Sequence, residues 1–454
     1  MTQNYVEKFE KYQTGVEASA ATGILTMDTQ PTATDTVTIG GIVLTFVASG
    51  AVAGEVNRGA DLAAAKTNLV AAINGTDAIN TANPYVTAAA FASNNMTVTA
   101  RVKGPAGLTI ATTETFTAGS NVWAAATLNG AGAHARGTAV PATSVWPYPI
   151  AFEGDNVIER APFALGIGWE NAGQDKLAAD GAKFSIAELP LVFEVLSILG
   201  HWGVKGDVLP TGSAAPFTYT YTVPGTAANP SYVSRTLERR LSDGTNNLDD
   251  EWAYSMLTKW GLKWGQRGLV MFSGEGFSRI RKDSTLTPSQ TPPALTQIPT
   301  SLVTVFVNDT FATMGNTQIT GQIVGGEFEY ETGNQNEESA DGRTDLDFGI
   351  SEFNPGARRY KLTIKVKVQN GALAFTERAK AKAASIRAVR VRVSDAVSGQ
   401  SFNIDGLYTH ETADGLQTID RQDGQDIVEF SLVQSTDGTN AFRFTPAINV
   451  NHID

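Results

Sequence analysis

Four histidines, His134, His201, His410 and His452, are the chain's near-neutral acid/base groups, and no two are close enough in sequence to form a local metal or proton-transfer motif. A surface or loop role is the simpler reading of each. Cysteine is absent, which excludes disulfides, thiolate metal sites and a cysteine nucleophile. The nearest approach to a dinucleotide loop is Gly166-Ile-Gly168, but Asn171 stands where the third glycine belongs and no βαβ context surrounds it. No glycine precedes a lysine, so there is no Walker loop. Asp345-Leu-Asp347-Phe-Gly349 and the 414–426 stretch are acidic enough to suggest calcium loops, yet both miss the required spacing. The expectation is a protein that is not an enzyme and carries no cofactor and no metal.

One charged pattern stands out. Read as a strand, Glu327-Phe-Glu-Tyr-Glu331 places Glu327, Glu329 and Glu331 on one face and Phe328 and Tyr330 on the other. An ordinary solvated sheet face explains this; the alternative is a channel wall that keeps a polyanion from sticking.

The element that must position such a face is a long hairpin from Trp252 to Arg281. Trp252, Tyr254, Met256, Thr258, Trp260, Leu262 and Trp264 alternate with Ala253, Ser255, Lys259 and Lys263, interrupted by Leu257. Gln266-Arg267-Gly268 turns the chain. Gly274 and Gly276 in the return strand suggest a bulge or a close backbone approach. Each arm would exceed about 40 Å, too long for a single small domain to cover.

Length and charge bound the rest. The 454 residues suffice for two or three domains, and 46 acids against 34 bases leave a net charge of −12, which disfavours a phosphate-neutralising surface. The N-terminal MTQNYVEKFEKYQ lacks the order of a secretory signal. The most apolar run, 189–199, is about half of the roughly 20 residues a bilayer crossing needs. No membrane role is expected.

Composition divides the chain. Residues 21–120 hold six acids (Asp28, Asp35, Glu55, Asp61, Asp77, Glu114) and four bases (Arg58, Lys66, Arg101, Lys103), the remainder being rich in Ala and Thr. This predicts a separate small domain. Two strands over 35–39 and 42–47 joined by Gly40-Gly41, a helix capped by Asp61 and stopped at Gly75, and strands near 85–91, 96–101 and 108–112 give the order ββαβββ. Residues 121–150 read as an irregular connector. Beyond them the chain is mainly β, with a short amphipathic helix starting at Pro190 and ending at Gly200. The proline-bearing 285–300 stretch is an extended connector. Strands follow at 302–307, 318–324, 327–331, 360–368, 388–393 and 427–434.

Several short segments occur in a telling order: Gly137-Thr-Ala-Val-Pro141, then Lys183-Phe-Ser-Ile-Ala-Glu-Leu-Pro190 before the helix ending Leu199-Gly200. The hairpin end Gly268-Leu-Val-Met-Phe-Ser-Gly-Glu-Gly276 comes next, then Asn308-Asp309 and Gly325-Gly-Glu-Phe-Glu-Tyr330. On these segments the chain from Gly137 onward resembles the tail tube proteins of long-tailed, non-contractile bacteriophages. Asp35-Thr-Val-Thr-Ile-Gly-Gly41 and Leu69-Val-Ala-Ala-Ile-Asn74 resemble a small domain inserted in many phage virion proteins.

The resemblance implies a tail tube β-barrel or sandwich with a flanking α-helix (residues 151–454), joined by an N-terminal segment (1–20), with a small inserted domain (21–120) and a connector (121–150) between them. It implies six copies closing a ring, and rings stacking into a hollow virion tail, assembled in the bacterial cytoplasm, that conducts the genome. Partners would be further copies of the chain, a tape measure protein in the lumen, and tail terminator and distal tail or baseplate proteins at the ends. Double-stranded DNA would pass without specific binding. Under this resemblance Trp252, Tyr254, Met256, Trp260, Leu262 and Trp264 form the barrel-core face of the hairpin under the helix. Glu327, Glu329, Glu331, Lys259 and Lys263 face the lumen, the lysines pairing with acids of a neighbour. Glu170, Asp175 and Lys176, within 153–183, belong to a ring-stacking loop. A carbohydrate-binding or adhesive module is the rival reading, supported by the Thr-rich small domain and by Trp146 and Trp169 as exposed aromatics.

Overall fold

Asp61 and Gly75 fix the first helix. Extended at φ −147°, Asp61 accepts a hydrogen bond from the Ala64 amide at 2.8 Å, while Gly75, left-handed at φ 66°, ends helix α1 (Leu62–Asn74). The computed structural model describes residues 9–450 apart from 118, 134–138, 155–156, 160–175, 180–181, 207, 213, 226–232, 244, 279, 320–322, 338–351, 356–357, 368–371, 413–416 and 423–424. Ala65, Leu69, Ala72 and Ile73 of α1 enter a core shared with two four-stranded sheets. One sheet joins Ala20–Thr26, Val86–Ala88, Asn95–Lys103 and Val122–Trp123; the other joins Thr36–Ile39, Ile42–Val47, Glu55–Asn57 and Thr112–Glu114.

The expected ββαβββ order omits Ala20–Thr26, Glu55–Asn57 and Val122–Trp123, and its last strand is a 3₁₀ turn, Pro105–Thr109, followed by Thr112–Glu114. The small core extends past residue 120 to Trp123 and Leu128. Its two ends meet where the Ser19 amide donates to the Ala133 carbonyl at 2.9 Å, the geometry of an insertion.

The larger body is a mainly β structure of antiparallel strands. Its main strands are β1 (Phe9–Val16), β2 (Ser144–Trp146), β3 (Ala151–Gly154), β4 (Ala182–Pro190), β5 (Arg235–Ser242), β6 (Asn247–Trp264), β7 (Met271–Ser278) and β8 (Ile280–Asp283). Then come β9 (Val303–Asn308), β10 (Ile323–Glu331), β11 (Arg359–Lys367), β12 (Arg387–Ser394), β13 (Ser401–His410), β14 (Gln425–Gln434) and β15 (Asn440–Ile448). One sheet runs β3-β4-β7-β6-β10-β11-β14, and β13 pairs with β14, β12 and β15, so the sheet continues into a second layer. Strand β1 pairs along its whole length with β5, which places the N-terminal segment in this body ahead of the insertion.

Between the layers lies helix α2 (Leu196–Gly203), and it differs from expectation. Pro190 closes strand β4 opposite Met271, a 3₁₀ turn spans Phe193–Val195, and all eight residues of α2 are buried. The helix is surrounded, so its apolar residues need no single stripe. Gly200 sits inside it because the Tyr221 ring occupies the place of a side chain: an added Cβ would lie 2.2 Å from that ring. A third helix, α3 (Ala372–Lys382), was not expected from the sequence.

Strand β6 carries the main correction. It is 18 residues long, begins at Asn247, and its alternation is shifted twice. Leu237 faces Trp252 but Arg235 faces Ser255, and Leu257 faces Gly276 but Lys259 faces Glu275, so an extra residue is accommodated at each place. Tyr254, at φ 57°, makes the first shift. Trp252, Leu257, Trp260, Leu262 and Trp264 therefore share the main core, whereas Tyr254 and Met256 form a separate buried cluster with Phe277. A side-chain period of two makes each extra residue swap faces, and Leu257, the apparent interruption, is the residue that obeys the core. The first half of β6 pairs with β5 and β8, the second half with β7 and β10. Gly276 permits the tight passage, since a Cβ there would lie 2.2 Å from the Met256 carbonyl.

Residues 121–150 are less a connector than a shared seam: Trp123 is buried in the small core and Trp146 in the large one. Trp146, 1 % exposed, is thus no surface aromatic, and Trp169 lies outside the described residues.

Candidate functional site

The core-facing residues of β6 and β10 dictate what faces solvent. Trp260, Leu262 and Trp264 point inward, and α2 packs on them: the Trp260 indole donates to the Gly203 carbonyl at 3.2 Å, and the Trp202 indole to the Ser255 carbonyl at 2.9 Å. Phe328 and Tyr330 point the same way, so Glu327, Glu329 and Glu331 share the opposite face with Lys259 and Lys263.

Register arranges these charges in columns. Lys259 lies opposite Glu331, Gly261 opposite Glu329 and Lys263 opposite Glu327. Beyond β10, Glu329 faces Lys361 and Glu331 faces Arg359; beyond β11, Lys365 faces Glu429. On the other side of β6, Glu275 of β7 faces Lys259. Five adjacent strands thus alternate in sign: Glu275; Lys259 and Lys263; Glu327, Glu329 and Glu331; Arg359, Lys361, Lys365 and Lys367; Glu429. The columns hold five carboxylates and six cations, a face close to neutral on a chain of charge −12. A uniformly acidic wall is not what forms.

Pairing follows the columns. Lys259 reaches Glu329 at 2.8 Å, Lys361 reaches Glu411 at 2.8 Å, Lys263 reaches Glu188 at 3.6 Å and Lys365 reaches Glu429 at 3.7 Å. The hydrogen bond to Glu329 holds the Lys259 ammonium above its usual pKa, and the bonds from Lys361 and Ser431 hold the Glu411 carboxyl below its own. Both lysines of β6 therefore find carboxylates within their own chain, where pairing with a neighbour's acids was expected. Each exposed pair contributes about 0–1 kcal/mol, so the pattern governs what the face presents more than how stable it is. Gly261 leaves a shallow notch of about 210 Å³ at its centre, bordered by Lys259, Lys263, Glu275 and Glu327.

Two ribbons extend from one end of this sheet. The β4 end at Ala182 lies beside Ser278, and the β10 end at Glu331 beside Lys259, both toward the shifted part of β6. Beyond them the ribbons Val157–Glu159 with Lys176–Ala179, and Asn334–Glu337 with Glu352–Pro355, continue each hairpin. Lys176 begins a ribbon strand; Glu170 and Asp175 lie outside the described residues, as do Gly166-Ile-Gly168, His134, His452 and the Asp345–Gly349 run. The 414–426 stretch contains strand Gln417–Gln422 and the start of β14.

Several buried charged groups escaped the sequence reading, among them Glu17, Glu377 and Arg235. Glu17, fully buried, accepts from the Tyr254 amide at 2.7 Å, the Ser234 hydroxyl at 2.6 Å and the Thr236 hydroxyl at 2.9 Å, and so fixes the shift in β6. Glu377 of α3 receives two hydrogen bonds from Arg387 and one from His410 at 3.2 Å; burial pushes its carboxyl up, but these bonds outweigh it and leave it below the usual range. Arg235 is fully buried with no hydrogen-bond partner for its guanidinium among the described residues, and desolvation pushes its pKa down to about 10. These contacts join residues up to 237 positions apart, and local pattern carries no such signal.

Among the described residues no group of three or more His, Asp or Glu is placed to hold a metal ion, and no helix is long and apolar enough to cross a membrane. No protein-family model matches the chain, and no curated protein matches it.

Proposed function

We propose that the chain is a structural subunit of a phage tail tube, six copies closing a ring and rings stacking into a hollow virion tail through which the genome passes. The observation that carries this reading is the β3–β14 sheet: a helix-backed core on one face, ordered charge on the other, and open edges. Among the described residues β3 pairs only with β4, and Gln417–Gln422 pairs only with β14. Edges of that kind are aggregation-prone unless covered, and a ring of copies joined edge to edge removes them. The charged face then lines the bore, where a tape measure protein precedes DNA, and the two ribbons reach toward the next ring. Terminator and distal tail or baseplate proteins would cap the ends. Light scattering of the purified chain over a hundredfold concentration range tests assembly: growth to ring-sized and larger particles is expected, and a constant monomer mass at every concentration would contradict it.

A further inference from the structure

We infer that the carboxylates of the charged face act as built-in partners that occupy its lysines, so that a passing duplex DNA meets ion pairs in place of free cations. This rests on the tube reading, and it replaces repulsion by a uniformly acidic wall with neutralisation inside the wall. Six cations on two strands, β6 and β11, which lie two strand spacings or about 10 Å apart across β10, would by themselves form a phosphate-binding patch, because each contact releases condensed counterions.

Geometry prevents it. A column of carboxylates lies beside every column of cations, Lys259 is engaged at 2.8 Å by Glu329 and Lys361 at 2.8 Å by Glu411. A phosphate must compete with a carboxylate already in place, one supplied at no translational cost by the same rigid sheet. At about 8 Å, the screening length in physiological salt exceeds the spacing between columns, so a double helix senses neighbouring columns together and their fields cancel. A purely acidic wall would also exclude DNA, but would resist its entry; a paired wall neither grips nor repels.

The test is binding of a fluorescent duplex oligonucleotide, by anisotropy at about 20 mM salt and then across rising salt. The native chain is expected to show no binding at micromolar protein. Replacing Glu327, Glu329 and Glu331 by Gln together leaves two carboxylates against six cations and should raise affinity at least about tenfold, with a slope of log K on log salt near −0.9 for each phosphate engaged. Adding Lys259→Met and Lys361→Met should reverse the gain. Glu411→Gln, on a half-exposed side chain at the rim, frees Lys361 without touching β10 and should give a smaller gain, which covers failure of the triple variant to fold. Salt-sensitive DNA binding by the native chain, or no gain in either Gln variant, overturns the inference. Assembly is scored separately by light scattering: tubes without the Gln effect refute only the pairing, and the Gln effect without assembly refutes only the tube.

Discussion

Replacing Glu17 by alanine should loosen the long hairpin at its shift point. The carboxylate is fully buried and accepts three hydrogen bonds, from the Tyr254 amide and the Ser234 and Thr236 hydroxyls, at 2.6–2.9 Å. The hydroxyls can rotate toward other acceptors. The Tyr254 amide cannot, because its backbone is held at φ 57°, where a residue with a side chain is already strained. An orphaned buried amide costs about 1–3 kcal/mol and each lost bond to a charged acceptor about 1.5–3, so a total of about 3–5 kcal/mol is expected after partial relaxation. Glu17→Gln keeps one carbonyl acceptor and should lose about 1–3 kcal/mol. Urea unfolding followed by tryptophan fluorescence reads the global loss, and amide exchange at Tyr254 the local one; a 2 kcal/mol easier opening speeds exchange roughly 30-fold. Stability within about 0.5 kcal/mol of native, with Tyr254 equally protected, would refute the assignment of Glu17 as the clamp.

Three other expectations follow from the same structure. Arg235→Met should raise stability by about 1–4 kcal/mol, since a buried guanidinium without a hydrogen-bond partner among the described residues gives way to an apolar side chain of similar length; a loss in urea unfolding would show that the charge is needed. Glu377 has a folded pKa below its unfolded value of about 4.3, so the stability it contributes is present above that value and is lost as pH falls through the lower folded one. Glu377→Gln should therefore flatten the acid limb of the thermal midpoint at pH values below the unfolded carboxyl pKa, and an unchanged limb would contradict this. Excising 20–132 and joining Ser19 to Ala133, whose backbones already share a hydrogen bond, should leave a folded larger body with native-like near-ultraviolet dichroism. Collapse to an unfolded chain would mean that Val102 and Ala106, which belong to the larger core, are indispensable.

What the sequence disclosed was whatever repeats locally. Alternation in 361–367 and 327–331 marked β11 and β10, and the Asp61 and Gly75 caps framed α1 to the residue. Strands β1, β5, β13 and β15 were passed over because polar members such as Gln13, Glu238 and Asp405 are buried against segments far away in sequence. The hairpin misled for a similar reason: its tryptophans all lie inward, but two extra residues put Tyr254 and Met256 on the other face, and only the paired strands show it. Of the candidate site, the residues Glu327, Glu329, Glu331, Lys259 and Lys263 were legible as one face. Their partners Lys361, Glu411 and Glu188 were not, because register between strands decides who meets whom.

We propose that copies of this chain close a tube with the charged sheet face inside. Cryo-electron microscopy of the purified, concentrated protein addresses it directly. Hollow tubes of uniform bore are expected, with β6, β10 and β11 lining the lumen and the Lys259–Glu329 pair on its wall. Assemblies that turn this face outward, or particles that stay monomeric at every concentration, would contradict it.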